Sequence, residues 1–189
     1  IQKLQKAVAN KKDRFLFEMA TGTGKTLTAA GVIRLFLRTQ NARKVLFLVD
    51  RLELEDQAWK AFSNYLKPDY TTFIYKEHKS DWHKADIVVT TIQSLMFDNK
   101  YRYEFKPTDF DLLISDESHR SISGNARAVF EYFHGYKLGL TATPKDYLKS
   151  VDIDKVKEND PREIERRLLR DTYATFGCEG GDPTFRYSL

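Results

Sequence analysis

The sequence predicts an α/β fold, a parallel sheet with helices on both faces, and three observations carry that prediction. Apolar, β-prone runs alternate with helical patterns along nearly the whole chain, with no internal repeat and no low-complexity tract. One run, Lys44-Val45-Leu46-Phe47-Leu48-Val49, is apolar almost throughout, as a strand covered on both faces must be. An earlier run, Phe15-Leu16-Phe17-Glu18-Met19, stops at a glycine-punctuated turn from which an amphipathic helix starts. In such sheets ligands sit beyond the carboxyl ends of the strands, so the residues just after each strand are the ones to read for chemistry.

Taken in order, residues 2–10 read as a short helix with Leu4, Ala7 and Val8 on its apolar side, and residues 14–18 as a buried strand. After the turn, Leu27, Ala30, Ile33 and Leu37 recur at helical spacing with no Pro between them. The strand at 44–49 is followed by Asp50 and by Leu54, Ala58, Phe62 and Leu66, which step by four along a helix that Pro68 terminates. Residues 71–75 are β-rich, and the polar loop behind them carries His78, Asp81 and His83 at spacings that match no zinc signature. Residues 86–90, 110–115 and 136–140 are further strands.

The character changes after Pro144. Residues 151–159 are charged and lack an apolar face, which predicts a mobile connector. Asp160-Pro161-Arg162-Glu163 supplies a helix N-cap, a Pro at the first helical position and a Glu reaching back; Ile164, Leu168, Tyr173 and Phe176 then predict one helix that Gly177 closes. Residues 184–189 alternate like a strand. The expected division is a main domain over 1–149 and a helix/strand connector over 150–189.

With 189 residues and 41% hydrophobic content the chain can bury one substantial core. Its single cysteine, Cys178, excludes an internal disulfide and a cysteine-based metal site and suits a reducing cytoplasm. No apolar run reaches transmembrane length and the first residues are no signal peptide, so no membrane partner is expected; the missing initiator Met suggests a fragment. The net charge of +4 is uneven, with 11 Lys/Arg against three Asp/Glu in residues 1–51, an excess expected to surround the glycine turn and to favour a polyanion.

That turn, Ala20-Thr21-Gly22-Thr23-Gly24-Lys25-Thr26, reads as a phosphate-binding loop. Gly22 and Gly24 can take backbone angles closed to other residues, so successive N–H groups, including those of Thr21 and Thr23, can converge on an anion at the start of the following helix. Lys25 would reach the β and γ phosphates of a nucleotide, and the Thr26 hydroxyl would hold Mg²⁺. The strict motif asks for Gly where this chain has Met19. Asp116-Glu117-Ser118-His119 follows a strand end, where Mg²⁺ bound to ATP needs a carboxylate: Asp116 fits that role, and Glu117 could orient or deprotonate the attacking water. The alternative is an acidic helix N-terminus favoured by the helix dipole alone. Thr141-Ala142-Thr143-Pro144, after another strand, is by itself a turn with hydroxyls.

In this order the three segments resemble motifs I, II and III of superfamily 2 helicases and translocases, in which Met19 before the loop is ordinary. More narrowly, Leu48-Val49-Asp50-Arg51-Leu52-Glu53-Leu54 with Gln57, the run Val89-Thr90-Thr91-Ile92-Gln93-Ser94-Leu95, and His119-Arg120-Ser121 look like the motor (R, HsdR-type) subunit of type I restriction enzymes. Arg170-Asp171-Thr172-Tyr173 with Phe176-Gly177 and Tyr187-Ser188-Leu189 is similar to the passage that joins that subunit's two motor lobes.

The resemblance implies the first RecA-like, P-loop lobe of an ATP-dependent translocase that grips double-stranded DNA, with ATP and Mg²⁺ as cofactors. It implies that Arg51, Thr91 and Gln93 lie on the DNA side, contacting phosphates without reading bases. Asp50 and Thr91 are equally good helix caps, which leaves that role open. Thr141, Thr143 and His119 would couple nucleotide state to DNA grip. Partners implied are the methylase and specificity subunits of a restriction-modification complex and a second motor lobe in the same polypeptide, expected after Leu189 with its arginine finger. The adenine-reading Gln and the nuclease domain would precede Ile1, and the isolated lobe is expected to be nearly inert as an ATPase. The rivals are another superfamily 2 DNA or RNA helicase and a nucleotide-gated nucleic-acid-binding module that never turns over.

Overall fold

The computed structural model describes residues 1–118, 126–147 and 161–187. Seven strands form one sheet in the order β3-β4-β2-β5-β6-β1-β7, where β1 is Arg14–Met19, β2 Val45–Val49, β3 Thr72–Ile74, β4 Ile87–Thr91, β5 Leu112–Asp116, β6 Tyr136–Thr141 and β7 Phe185–Tyr187. Every pairing is parallel. Strand β2, the run apolar on both faces, lies between β4 and β5 with all five residues buried.

The helices are α1 (Gln2–Ala9), α2 (Lys25–Arg38), α3 (Leu52–Leu66), α4 (Ile92–Met96), α5 (Lys100–Glu104), α6 (Ala126–Tyr132), α7 (Pro161–Arg170) and α8 (Thr172–Thr175). Alternation along the strands sorts the core into two layers. Phe15, Phe17, Val45, Phe47 and Ile114 pack with Leu4 of α1, Ile33 and Phe36 of α2, and Phe62 of α3 on one face. Leu16, Leu46, Leu48, Val88 and Leu113 pack on the other with Ile92, Leu95, Phe130, Tyr173 and Phe176. The RecA-like expectation of one parallel sheet covered on both faces is met.

Three details differ from the sequence reading. The buried side of α2 is Ala29, Ala30, Val32, Ile33, Phe36 and Leu37, while Leu27 is 57% exposed because the first turn stands beyond the strand ends. Strand β5 runs one residue further than expected, so Asp116 is its last residue, paired with Leu140. The predicted helix over 164–176 is two helices broken at Asp171, whose side chain accepts the Ala174 N–H at 2.8 Å and so starts a new helix rather than continuing the old one. Gly177, at φ 63°, does close it. The predicted connector at 151–159 and the cap at Asp160 lie outside the described residues.

Residues 161–187 return to the sheet. Tyr173 and Phe176 join the second core layer, and the Phe176 ring lies so close on Gly139 that a Cβ there would stand 2.5 Å from ring atoms. Strand β7 pairs with β1 through Phe17–Phe185, Glu18–Arg186 and Met19–Tyr187.

The basic excess of residues 1–51 is divided rather than gathered at the glycine loop. Lys11, Lys12 and Arg43 line a cleft with Asp111 and Tyr136, residues at the amino ends of β1, β2, β5 and β6. In a parallel sheet residues before a strand and residues after it stand at opposite edges, so closeness in sequence to the loop is not closeness in space.

Candidate functional site

The carboxyl edge of the sheet gathers the chemistry. The loop from β1 to α2 turns tightly: Thr23 donates to the Ala20 carbonyl both from its N–H, at 3.3 Å, and from its hydroxyl, at 2.6 Å. Gly22 and Gly24 have φ of 80° and 88°, where any side chain is strained. Gly24 caps α2 without a side chain and no acid stands in the first turn, so the helix start keeps its positive field for an incoming anion. Thr21 is exposed, and Lys25 and Thr26 are half-buried at the mouth of the loop.

Across the sheet, two strands away, β5 ends at Asp116 and turns at Glu117, whose φ of 49° is left-handed. The Lys25 ammonium stands 2.5 Å from Glu117 Oε1, a contact between residues 92 positions apart. The Glu117 N–H donates to Asp116 Oδ1 at 3.0 Å. Burial, then the Glu117 charge and more distantly Asp50, push the Asp116 carboxyl above its ordinary range, while Lys25 and the Glu117 N–H oppose the shift. Two acids and one lysine thus crowd a small volume at the mouth of the loop. Of the acidic segment, His119 lies outside the described residues.

Between β5 and β1 runs β6, whose last residue, Thr141, is fully buried and in register with Glu18. The Thr143 N–H donates to the Thr141 hydroxyl at 3.2 Å. The chain just beyond is clamped by the start of α8: Tyr147 N–H donates to Asp171 Oδ2 at 2.7 Å, Lys145 N–H to the Thr172 hydroxyl at 2.9 Å, and Thr172 N–H to the Lys145 carbonyl at 2.8 Å. Tyr173 and Arg186 both donate to Glu18 Oε2, at 3.0 and 2.9 Å, which ties α8 and β7 to the residue two places before the loop. Sequence reading had noted Asp171 only as part of a phrase; its burial at 1% exposure marks it as structural ground for this corner.

Arg51, Thr91 and Gln93 come together in one groove of about 670 Å³, bounded by the turn after β2 and the turn after β4 and reaching Lys76, Lys79 and Lys100. Arg51 and Gln93 are exposed. Thr91 is buried and does what a helix cap does, its hydroxyl accepting the Ser94 N–H at 3.2 Å. Asp50 is not a cap: α3 begins after Arg51 with no side-chain cap bond, and Asp50 instead lies 3.8 Å from the Arg51 guanidinium. Phe97, 64% exposed at the rim with the Lys100 ammonium 5.4 Å from its ring centre, was missed in the sequence because an aromatic directly after Leu95 and Met96 reads as core. No group of three or more His, Cys, Asp or Glu residues is placed to hold a metal among the described residues.

Known proteins agree with this arrangement. The family described as type III restriction enzyme, res subunit, matches residues 1–146, a span that holds the glycine loop, Asp116, Glu117, Thr141 and Thr143. The type I restriction enzyme EcoAI endonuclease subunit of Escherichia coli is 34% identical over 153 residues, which are 77% of this chain and 18% of that subunit. A solved fragment of an HsdR subunit of a type I restriction enzyme from Vibrio vulnificus superposes with a TM-score of 0.61 at 25% identity over 98% of this chain and 28% of that one. The helicase domain of Pyrococcus furiosus Hef, at 23% identity, shares the fold with a TM-score of 0.65 over 95% of this chain and 36% of that one. The chain thus spans a small part of the length of the relatives it matches. It belongs to the restriction-enzyme res subunit family, as a superfamily 2 helicase motor domain of the HsdR type.

Proposed function

We propose that this chain is the ATP-binding lobe of a translocase that hydrolyses ATP to pump duplex DNA within a type I restriction endonuclease. The observation that carries the reading is the 2.5 Å contact of Lys25 with Glu117, which joins the glycine loop of one strand to the acid of another across an open helix start. The donor set suits a polyphosphate with a divalent cation: free backbone donors at the helix N-terminus, a lysine, a hydroxyl and a carboxylate at a strand end. Lys25 and the amides of residues 21, 22 and 24–26 would bind the β and γ phosphates, with Thr23 shaping the loop through its bonds to Ala20 and Glu117 yielding its hold on Lys25 to a phosphate oxygen. Thr26 and Asp116 would hold Mg²⁺, which when bound neutralises phosphate charge. Glu117, so released, would orient and deprotonate the attacking water.

Arg51 and Gln93 would donate to DNA phosphates, with Thr91 contributing by capping α4 at the groove wall. Thr141 and Thr143, joined to α8 and β7 through the clamp at Asp171, Thr172 and Glu18, would link nucleotide state to whatever follows β7; His119 belongs to the same relay. Residues 1–149 are on this reading the first motor lobe and 150–189 the passage toward a second one, which would supply an arginine. Methylase and specificity subunits would complete the complex, in the cytoplasm. Among the described residues no helix is long and apolar enough to cross a membrane. Calorimetry tests the nucleotide site: Lys25→Ala should abolish ATP·Mg²⁺ binding by removing the charge that faces the phosphates, and equal affinity in variant and wild type would refute the assignment.

A further inference from the structure

Beneath the groove lies a carboxylate that the proposed DNA contact does not use. Glu55 stands on the α3 stripe of Ala58, Phe62 and Leu66, and its side chain is 0% exposed. Its Oε1 accepts the Thr91 N–H at 3.0 Å, which fixes the carboxylate against the end of β4. Its Oε2 lies 2.9 Å from the Lys76 ammonium and has no other partner among the described residues. Lys76 is itself 41% exposed and lines the groove beside Lys79 and Arg51. The Glu55 carboxylate at 2.9 Å holds the Lys76 pKa above its ordinary value, with Asp56 and Glu77 adding smaller contributions.

A buried carboxylate needs a cation, and a cation at a groove wall attracts phosphate; here one ammonium serves both demands. A phosphate that reaches Lys76 must share it with an anion already in contact, and that anion cannot swing away because the Thr91 N–H tethers it. Sequence reading passed over Glu55 because a Glu on a helix is ordinarily a solvated one; the available signal was that it falls on the same stripe as Ala58, Phe62 and Leu66. We propose that Glu55 is an internal counter-anion of the groove, competing with the nucleic-acid backbone for Lys76. The groove then holds a polyanion more weakly, and lets it go more readily, than its cations alone would. The inference rests on the groove being the DNA face proposed above.

Titrations of this chain with a short fluorescent DNA duplex over a range of salt concentrations test it. Glu55→Gln keeps an acceptor for the Thr91 N–H and removes the charge, so binding should tighten by about threefold or more at low salt, and the slope of log Kd against log salt should steepen by about one unit. A residue that is merely structural gives the opposite sign, because loosened packing weakens binding. Unchanged or weaker binding by a folded Glu55→Gln chain overturns the proposal. Should that variant not fold, Lys76→Met decides: it bares the buried carboxylate to the phosphates and must weaken binding more than Lys79→Met does, and an equal or smaller loss overturns the proposal. If the wild-type chain binds no duplex, or neither Arg51→Met nor Lys79→Met weakens binding, the groove is not the DNA face and both readings fall. If those variants weaken binding and Glu55→Gln does not tighten it, the counter-anion alone falls.

Discussion

Two carboxylates near the same edge of the sheet, Asp116 at the end of β5 and Glu55 beside the end of β4, are treated in opposite ways by the fold. Glu55 is wholly buried, yet one oxygen takes a backbone N–H and the other a lysine, so its charge is satisfied inside the molecule. Asp116 is itself partly buried beside a second acid, and burial first, then the Glu117 charge, pushes its pKa up against the pull of Lys25. An acid held in that way is poised for an added cation, which removes the repulsion and restores the charged form. The contrast lies in how each charge is met: Glu55 faces the Lys76 ammonium directly, whereas Asp116 is partly buried beside a second acid with Lys25 opposing the shift.

The largest effect expected lies on the ligand side, at the residue that separates Asp116 from a closed structure. In the full-length subunit Glu117→Gln keeps the shape of the side chain while losing the base, so ATP should still bind whereas hydrolysis falls by roughly 10² or more. Near-normal turnover in a phosphate-release assay would make Glu117 a structural partner of Lys25 and would weaken the contrast with Glu55.

On the interior side the expected effect is on stability. Phe62 holds α3, and with it Glu55, against β2: its ring is fully buried and meets Phe47 edge-on at 4.8 Å. Phe62→Ala should lower unfolding stability by about 3–5 kcal/mol, the ordinary range for emptying an aromatic site in a packed core. A denaturant midpoint close to wild type would mean that the layer under the groove is less rigid than its packing implies.

How far the sequence announced each region follows from the range of the interactions involved. The glycine loop is local: Gly22, Gly24, Lys25 and Thr26 are consecutive or nearly so, and a strand before and a helix after suffice to read it as a candidate phosphate-binding loop. Asp116 and Glu117 were legible because they end an apolar strand. The groove was legible only in part. Arg51, Thr91 and Gln93 were singled out by resemblance, but the atoms that set their geometry are joined across gaps in the chain, as Thr91 is to Glu55 over 36 positions. The break of the last helix at Asp171 escaped for the same reason. Apolar spacing over 164–176 is nearly helical, and only the fold shows the Asp171 carboxylate engaged at once with Ala174 and with Tyr147, 24 positions earlier. The misplaced basic excess came from treating closeness in sequence as closeness in space.

The smallest predicted effect is the most direct measure of the contrast. A carboxyl whose pKa is raised on folding binds its proton more tightly in the native state than in the unfolded chain, where its ordinary value is 3.8. The native state therefore holds more protons than the unfolded one between these two values. Stability contributed at this site is present in full in acid, below the unfolded pKa, and is lost as pH rises through the folded pKa, leaving a net penalty at neutral pH. Asp116→Asn removes the titration and the repulsion with Glu117 and Asp50. In the absence of nucleotide and Mg²⁺ the variant should melt at the same temperature as wild type or slightly higher at pH 7, and the difference should close as pH is lowered toward about 4. Glu55→Gln should show no such gain, because it leaves the Lys76 ammonium without its counter-ion and buries an amide donor with no partner. Melting curves of the two variants at several pH values decide the matter. A clear loss of stability at neutral pH in Asp116→Asn would mean that this carboxylate, like Glu55, is already compensated within the fold, and the distinction between an acid that finishes the structure and one that waits for a cation would disappear.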